Sequence, residues 1–233
     1  MRSKLSFFIV SKFMFTFAKI LFIGFKIFYL TGNNFPYQRQ ISNEEIQLLD
    51  LFSYSGRITV IDSKAKLNRF NKKIAKKEVI GFDTETRPSF TKGLQYDCSL
   101  VQMAFEDEVV LFRLNKIGFP RVLLDMLSQI DFKKIGIAIH DDIKQLKALN
   151  FFEAQNFIDL NTLSPKIGFE SIGAKRLSAL VLGKRISKRQ QVSNWDAAEL
   201  SPAQIAYAAT DAWICREIYL QFLKDGLVSP EMI

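Results

Sequence analysis

Cysteine is scarce in this chain: only Cys98 and Cys215 occur among 233 residues, with no CxxC spacing and no Cys/His cluster. That excludes a disulfide framework and a cysteine-ligated zinc site, and fits a reducing, cytoplasmic compartment. Histidine is scarcer still. His140 stands alone between Ile139 and two aspartates, without the partners that metal or triad chemistry needs, and no role is assigned to it. Acidic residues are missing from the first 41 positions, where Arg2, Lys4, Lys12, Lys19, Lys26 and Arg39 lie; these six leave only +2 of the net charge of +8 to the remainder. The bulk charge therefore carries no argument that the rest of the chain binds nucleic acid. Long apolar runs are also absent. Lys12, Lys19 and Lys26 interrupt the Phe/Ile/Leu-rich residues 1–31 at seven-residue intervals, well short of the roughly 18 apolar residues a spanning helix needs. The apolar stretch after Lys4 is short for the hydrophobic region of a signal peptide.

On a helix, that seven-residue repeat stacks the lysines along one face and leaves an apolar face opposite, the pattern of peripheral contact with an anionic membrane surface through residues 1–31. Translation of an AT-rich stretch upstream of the true start produces the same Phe/Lys/Ile/Asn composition, so a non-native extension fits equally. Residues 1–37 are therefore set apart from a single domain over residues 38–233, whose length suits one core.

Ser42 and Glu45 form a capping box ahead of Ile46, Leu48, Leu49 and Phe52, which predicts a short helix there. Alternation over residues 57–62 predicts a strand, and residues 63–77 a basic amphipathic helix with Leu67, Phe70 and Ile74 inward. Strands follow at 78–86, 99–105 and 109–114, then a helix opened by Pro120, a strand at 133–140 and a helix at 141–150. A short strand at 157–160 and helices at 171–182 and 202–224, the last capped by Ser201, complete the pattern. The expected architecture is an α/β mixed sheet, three antiparallel strands and then parallel ones, flanked by helices.

Four acidic features stand out. Asp83 and Glu85 are two apart on a strand and so project from one face; two adjacent carboxylates repel unless solvated or bridged by a hard cation. Asp141 and Asp142 open a helix, where aspartate is also an ordinary N-terminal residue. Tyr207 and Asp211 are four apart on the last helix and share a face.

The ordered motifs FDTET (residues 82–86), GIAIHDD (136–142) and YAATDAW (207–213) resemble the three motifs of DEDD-type 3′-5′ exonucleases on the ribonuclease H-like fold, in the branch with tyrosine in the last motif. Residues 193–213 are more similar to the exonuclease domain of the Werner syndrome protein than to ribonuclease D. The likeness spans residues 57–223. It implies two divalent cations, Mg²⁺ or Mn²⁺, held by Asp83, Glu85, Asp142 and Asp211, with Asp142 preferred to Asp141 by spacing from Gly136. It implies that Tyr207 aligns the attacking water, since a phenol with a pKa near 10 is a poor base at neutral pH. An all-carboxylate set suits Mg²⁺ or Mn²⁺.

The implied substrate is the single-stranded 3′ end of a nucleic acid, DNA before RNA, cleaved by a two-metal mechanism. Two readings compete: ribonuclease D-like trimming of RNA, and an inactive nucleic-acid-binding module of the same fold. For substrate contact, Lys188 and Arg189, in a cluster with Lys184 and Arg185, are of the kind that holds phosphates, or form a solvated charge run. Trp195 is either a stacking platform or a core anchor, and Gln102 either a substrate contact or strand packing. Oligomeric state is not legible.

Overall fold

The computed structural model describes residues 35–70 and 78–229. The Lys/Phe-rich residues 1–34, and residues 71–77 with Ile74 of the expected basic helix, lie outside the described residues. The chain divides into two compact units, Met1–Tyr37 and Gln38–Ile233, and the second carries all of the described helices and strands.

Ser42 opens α1 (Asn43–Gln47) through both halves of the capping box: its hydroxyl accepts from the Glu45 amide and the Glu45 carboxylate accepts from the Ser42 amide. The expected apolar face is not realised. Only Ile46 is buried, Leu48 is exposed, and Phe52 belongs to β1 (Leu51–Phe52), where it stacks on Trp213 with ring centroids 4.8 Å apart. A five-residue helix has too few turns to bury a stripe.

The main sheet comprises β2 (Ile58–Ile61), β3 (Val79–Thr86), β4 (Cys98–Ala104), β5 (Val109–Arg113), β6 (Lys133–Gly136) and β7 (Phe157–Asp159), in the order β2-β5-β4-β3-β6-β7. As expected, β3, β4 and β5 pair antiparallel and β6 and β7 continue parallel beyond β3; β2 adds parallel to β5 at the far edge. Every residue of β4 and β5 is buried, as central strands covered on both faces must be. Val101 and Met103 pack with Phe82, with Leu123 and Leu127 of α4 (Arg121–Ser128), and with Leu146 of α5 (His140–Leu149). Leu100 and Ala104 face the other way, onto Trp195 and onto Ala208, Ala209 and Ala212 of α8 (Pro202–Lys224). The period-two alternation of β4 thus feeds two separate cores, with helices on both faces of the sheet.

The remaining helices are α2 (Lys64–Arg69), α3 (Leu114–Ile117), α6 (Leu160–Ile167) and α7 (Ala174–Leu182), and β8 (Arg185–Ile186) pairs parallel with β1. Several of these elements differ from expectation. α6 contains Pro165, which reads as a breaker, yet Asp159 caps its start by accepting from the Asn161 amide. α3 and β8 have four and two residues, too short for a periodic signal. β6, expected to reach His140, stops at Gly136. Ala138 takes a left-handed φ of 61° there, held by the Asp159 carboxylate, which accepts from the amides of Ala138 (2.9 Å) and Ile139 (3.1 Å). Among the described residues no helix is long and apolar enough to cross a membrane.

Candidate active site

Position 81 decides how the site assembles. A Cβ built there would stand 1.9 Å from the Ala212 carbonyl oxygen, so only glycine lets α8 lie directly against β3. Asp211, next to Ala212, is thereby brought beside Asp83 and Glu85. Ligand oxygens of these three carboxylates lie within 4.8 Å of one another. Tyr207, one helical turn earlier, lines the same cleft as Asp211. The cleft, about 280 Å³, is also walled by Thr84, Ile137, Ala138, Asn161 and Lys188.

The fourth expected carboxylate stands apart from this group. Asp142, on α5, accepts a hydrogen bond from the Thr84 hydroxyl, and Thr84 alternates with Asp83 and Glu85 along β3. Its charge is still felt at both Asp83 and Glu85. Asp141 is exposed, and of the two neighbouring aspartates it is the half-buried Asp142 whose charge reaches Asp83 and Glu85. His140 is exposed as well.

Burial dominates the electrostatics, with mutual repulsion next. The Asp83 carboxyl is pushed well above its ordinary range by burial and then by Asp211 and Asp142, and Glu85 rises to about 10 by burial and by the charges of Asp83 and Asp211. Asp211 rises to about 7 through burial, although the neighbouring Tyr207 hydroxyl and the charge of Lys188 pull the other way. Burial also lifts Asp142, against the Thr84 hydrogen bond. The Tyr207 phenol is driven far up by burial and then by Asp211 and Glu85, so it stays protonated and donates. Crowded, buried carboxylates of this kind suit a hard divalent cation bound through oxygen. Asp83, Glu85 and Asp211 would hold it, with Asp142 one step away. Sulfur is not offered: Cys215 lines the cleft with its thiol directed to the Asp211 carbonyl oxygen at 3.1 Å, and burial keeps that thiol protonated.

Of the expected substrate contacts, Lys188 is exposed on the cleft wall, and Arg189 is exposed but lines a neighbouring groove. For Trp195 and Gln102 burial excludes direct substrate contact and leaves the other reading, core anchor and strand packing, since both are fully buried. Trp195 packs among Leu100, Ala208 and Ala209, its ring 6.0 Å from that of Tyr207, which makes it a support for the tyrosine. Gln102 pairs across the sheet from Asp83, and neither atom of its amide has a hydrogen-bond partner. Two contributors escape a reading of the sequence: Thr84, hidden inside the motif as its middle residue, and Asp159, whose tie to Ala138 and Ile139 spans 21 and 20 positions. No local signal marks either pairing.

Comparison with known proteins agrees with this geometry. Residues 58–226 match the family model described as 3′-5′ exonuclease. The chain is 31% identical over 173 residues to the putative 3′-5′ exonuclease R431 of Acanthamoeba polyphaga mimivirus, covering 65% of this chain and 42% of that protein. It is 31% identical over 150 residues to the bifunctional 3′-5′ exonuclease/ATP-dependent helicase WRN of Mus musculus, covering 61% of this chain and 11% of that protein. The chain thus spans less than half the length of these curated relatives. The Aedes aegypti Nibbler EXO domain superposes with a TM-score of 0.64 at 24% identity, over 75% of this chain and 92% of that one, a likeness of fold. With the three motifs folded into one cleft on a ribonuclease H-like sheet, and the family match covering most of the sequence, the chain belongs to the DEDD-type 3′-5′ exonuclease family.

Proposed function

We propose that this protein hydrolyses phosphodiester bonds from the 3′ end of a nucleic acid strand, DNA in preference to RNA, with two divalent cations, Mg²⁺ or Mn²⁺. The observation that carries the reading is the convergence of Asp83, Glu85 and Asp211 with Tyr207 in a single cleft. Bound there, such cations supply a nucleophile near neutral pH and neutralise charge on the phosphoryl and leaving oxygens. The chain's own groups do the rest. Tyr207, whose phenol burial holds in the protonated form, orients the attacking water through its hydroxyl. Thr84 fixes Asp142 by a hydrogen bond beside the carboxylate group. Lys188, exposed on the wall, offsets the charge of the incoming phosphate. The preference for DNA rests on the likeness of residues 193–213 to the Werner-type domain.

The test is to incubate the purified chain with 5′-labelled DNA and RNA strands, with Mn²⁺ and with EDTA. A cation-dependent ladder that shrinks from the 3′ end, faster on DNA, is expected. Faster shortening of RNA would assign ribonuclease D-like trimming, and binding without cleavage an inactive module.

A further inference from the structure

A second concavity adjoins the cleft. Its volume is about 320 Å³ and its walls carry four cations, Lys175, Arg185, Lys188 and Arg189, with Gln47 and Ser187 and no carboxylate. It borders the cleft, and Ile186, Ser187 and Lys188 line both. The start of α7 lies along the junction. Gly173 and Ala174 face the cleft and Lys175 the groove; Asn161 Oδ1 accepts from the Gly173 amide at 2.8 Å, and the N-cap residue itself offers no side chain to the amides that follow. The partial positive charge of this helix end therefore adds to that of the four cations.

The outer wall comes from chain that precedes the residues matched by the family. Gln47 and Leu51 complete the groove, whereas the match begins at residue 58. Residues 38–56 are fastened on by β1 against β8, by Arg185, whose Nε donates to the Leu49 carbonyl at 3.1 Å, and by the Tyr54 amide donating to the Thr210 hydroxyl at 2.9 Å. Thr210 immediately precedes Asp211, so this strap is tied to the helix that carries the catalytic carboxylate. Lys175 Nζ is held at 3.0 Å by Asn43 Oδ1, and Arg185 by Gln47 at 3.2 Å, which orients both cations from the strap side.

We propose that this groove is a phosphate-binding subsite for the substrate strand on the 5′ side of the scissile bond, and that the strap of residues 38–56 builds it. The assignment rests on the exonuclease reading, and it follows from direction. An enzyme that removes the 3′-terminal nucleotide leaves the strand only one way to extend from the cleft, toward its 5′ end, and a cationic groove opening from the cleft wall suits its repeating anions.

The test compares the full chain with Lys175→Glu, and with Arg189→Glu as an exposed second variant, on a dinucleotide without a 5′-phosphate and on a dodecanucleotide. The dinucleotide carries only the scissile phosphate. For the unaltered protein KM is expected to fall about tenfold or more from dinucleotide to dodecanucleotide. Each variant should raise KM for the dodecanucleotide about five- to tenfold, and raise it less for the dinucleotide. Fluorescence anisotropy of a labelled dodecanucleotide without divalent cation gives a binding measurement independent of turnover. There each variant should weaken affinity and flatten its dependence on log salt by about 0.7 for each phosphate no longer neutralised. Equal KM for the two lengths, or anisotropy unaffected by both variants, would overturn the groove. Absence of 3′-end cleavage combined with variant-sensitive binding would overturn the exonuclease reading and leave the groove standing.

Discussion

Gly81 and Ala212 meet backbone to backbone, with no room for so much as a methyl group between β3 and α8. The strand bearing Asp83 and Glu85 and the helix bearing Tyr207 and Asp211 are held in register by that approach. Gly81→Ala should force them apart by a fraction of an ångström or more, enough to cost about 100-fold in turnover when reacting groups are misplaced. Thermal denaturation and single-turnover cleavage measured together decide the point. Wild-type turnover in a well-folded Gly81→Ala protein would show that the spacing is unimportant.

Without divalent cation, the site should make stability fall as pH rises. Glu85 has a folded pKa of about 10 and Asp211 of about 7, against ordinary values of 4.5 and 3.8. A folded pKa above the unfolded one means that the folded state holds protons more tightly. Its contribution is complete below about pH 4 and is lost as pH climbs through about 7 toward about 10. In EDTA, Tm should therefore drop between about pH 5 and 9, by about 2–4 °C for each kcal/mol lost in a domain of this size. Mg²⁺ or Mn²⁺ should restore it and release protons on binding near neutral pH. A Tm that rises with pH in EDTA would contradict the raised carboxyls.

Tyr207→Phe removes one hydroxyl and keeps the ring beside Trp195. Cation affinity should be retained while turnover falls roughly 10- to 1,000-fold, as expected when a group orienting the nucleophile is lost. Asp211→Ala should lose both. Mn²⁺ titration and single-turnover rates on the two proteins separate the roles; full activity in the phenylalanine variant would reduce Tyr207 to packing.

Thr84→Val keeps shape and removes the donor that holds Asp142. Turnover should drop about 10-fold or more with the requirement for cation shifted to higher concentration, and Thr84→Ser should recover most of it. If valine and serine behave alike, the hydrogen bond does not position Asp142.

Much of the fold and site is legible in the sequence wherever local chemistry decides. The capping box at Ser42, the cap at Ser201, the alternation of β3 and the four-residue spacing of Tyr207 and Asp211 each depend on residues a few positions apart. What the sequence misplaces is of another kind. Its pattern puts Phe52 on a helix, because Phe52 finds its partner, Trp213, only after the chain has folded. Gln102 reads as a polar strand residue, and nothing near it in sequence reveals that it is fully buried across from Asp83.

The sequence by itself determined which chemical groups exist and which face each occupies: paired carboxylates on a strand, a third opening a helix, a tyrosine and an aspartate one turn apart. Periodicities of two and 3.6 are local properties of the backbone, so they survive without any tertiary information. Tertiary structure alone decided the distances. It closed Asp83, Glu85 and Asp211 to within 4.8 Å and left Asp142 a step away on Thr84. It also raised the carboxyl pKa values through burial and brought the strap of residues 38–56 against the cationic loop. Burial and Coulomb repulsion act through space between residues far apart in the chain, and those separations exist only once the sheet and α8 have packed.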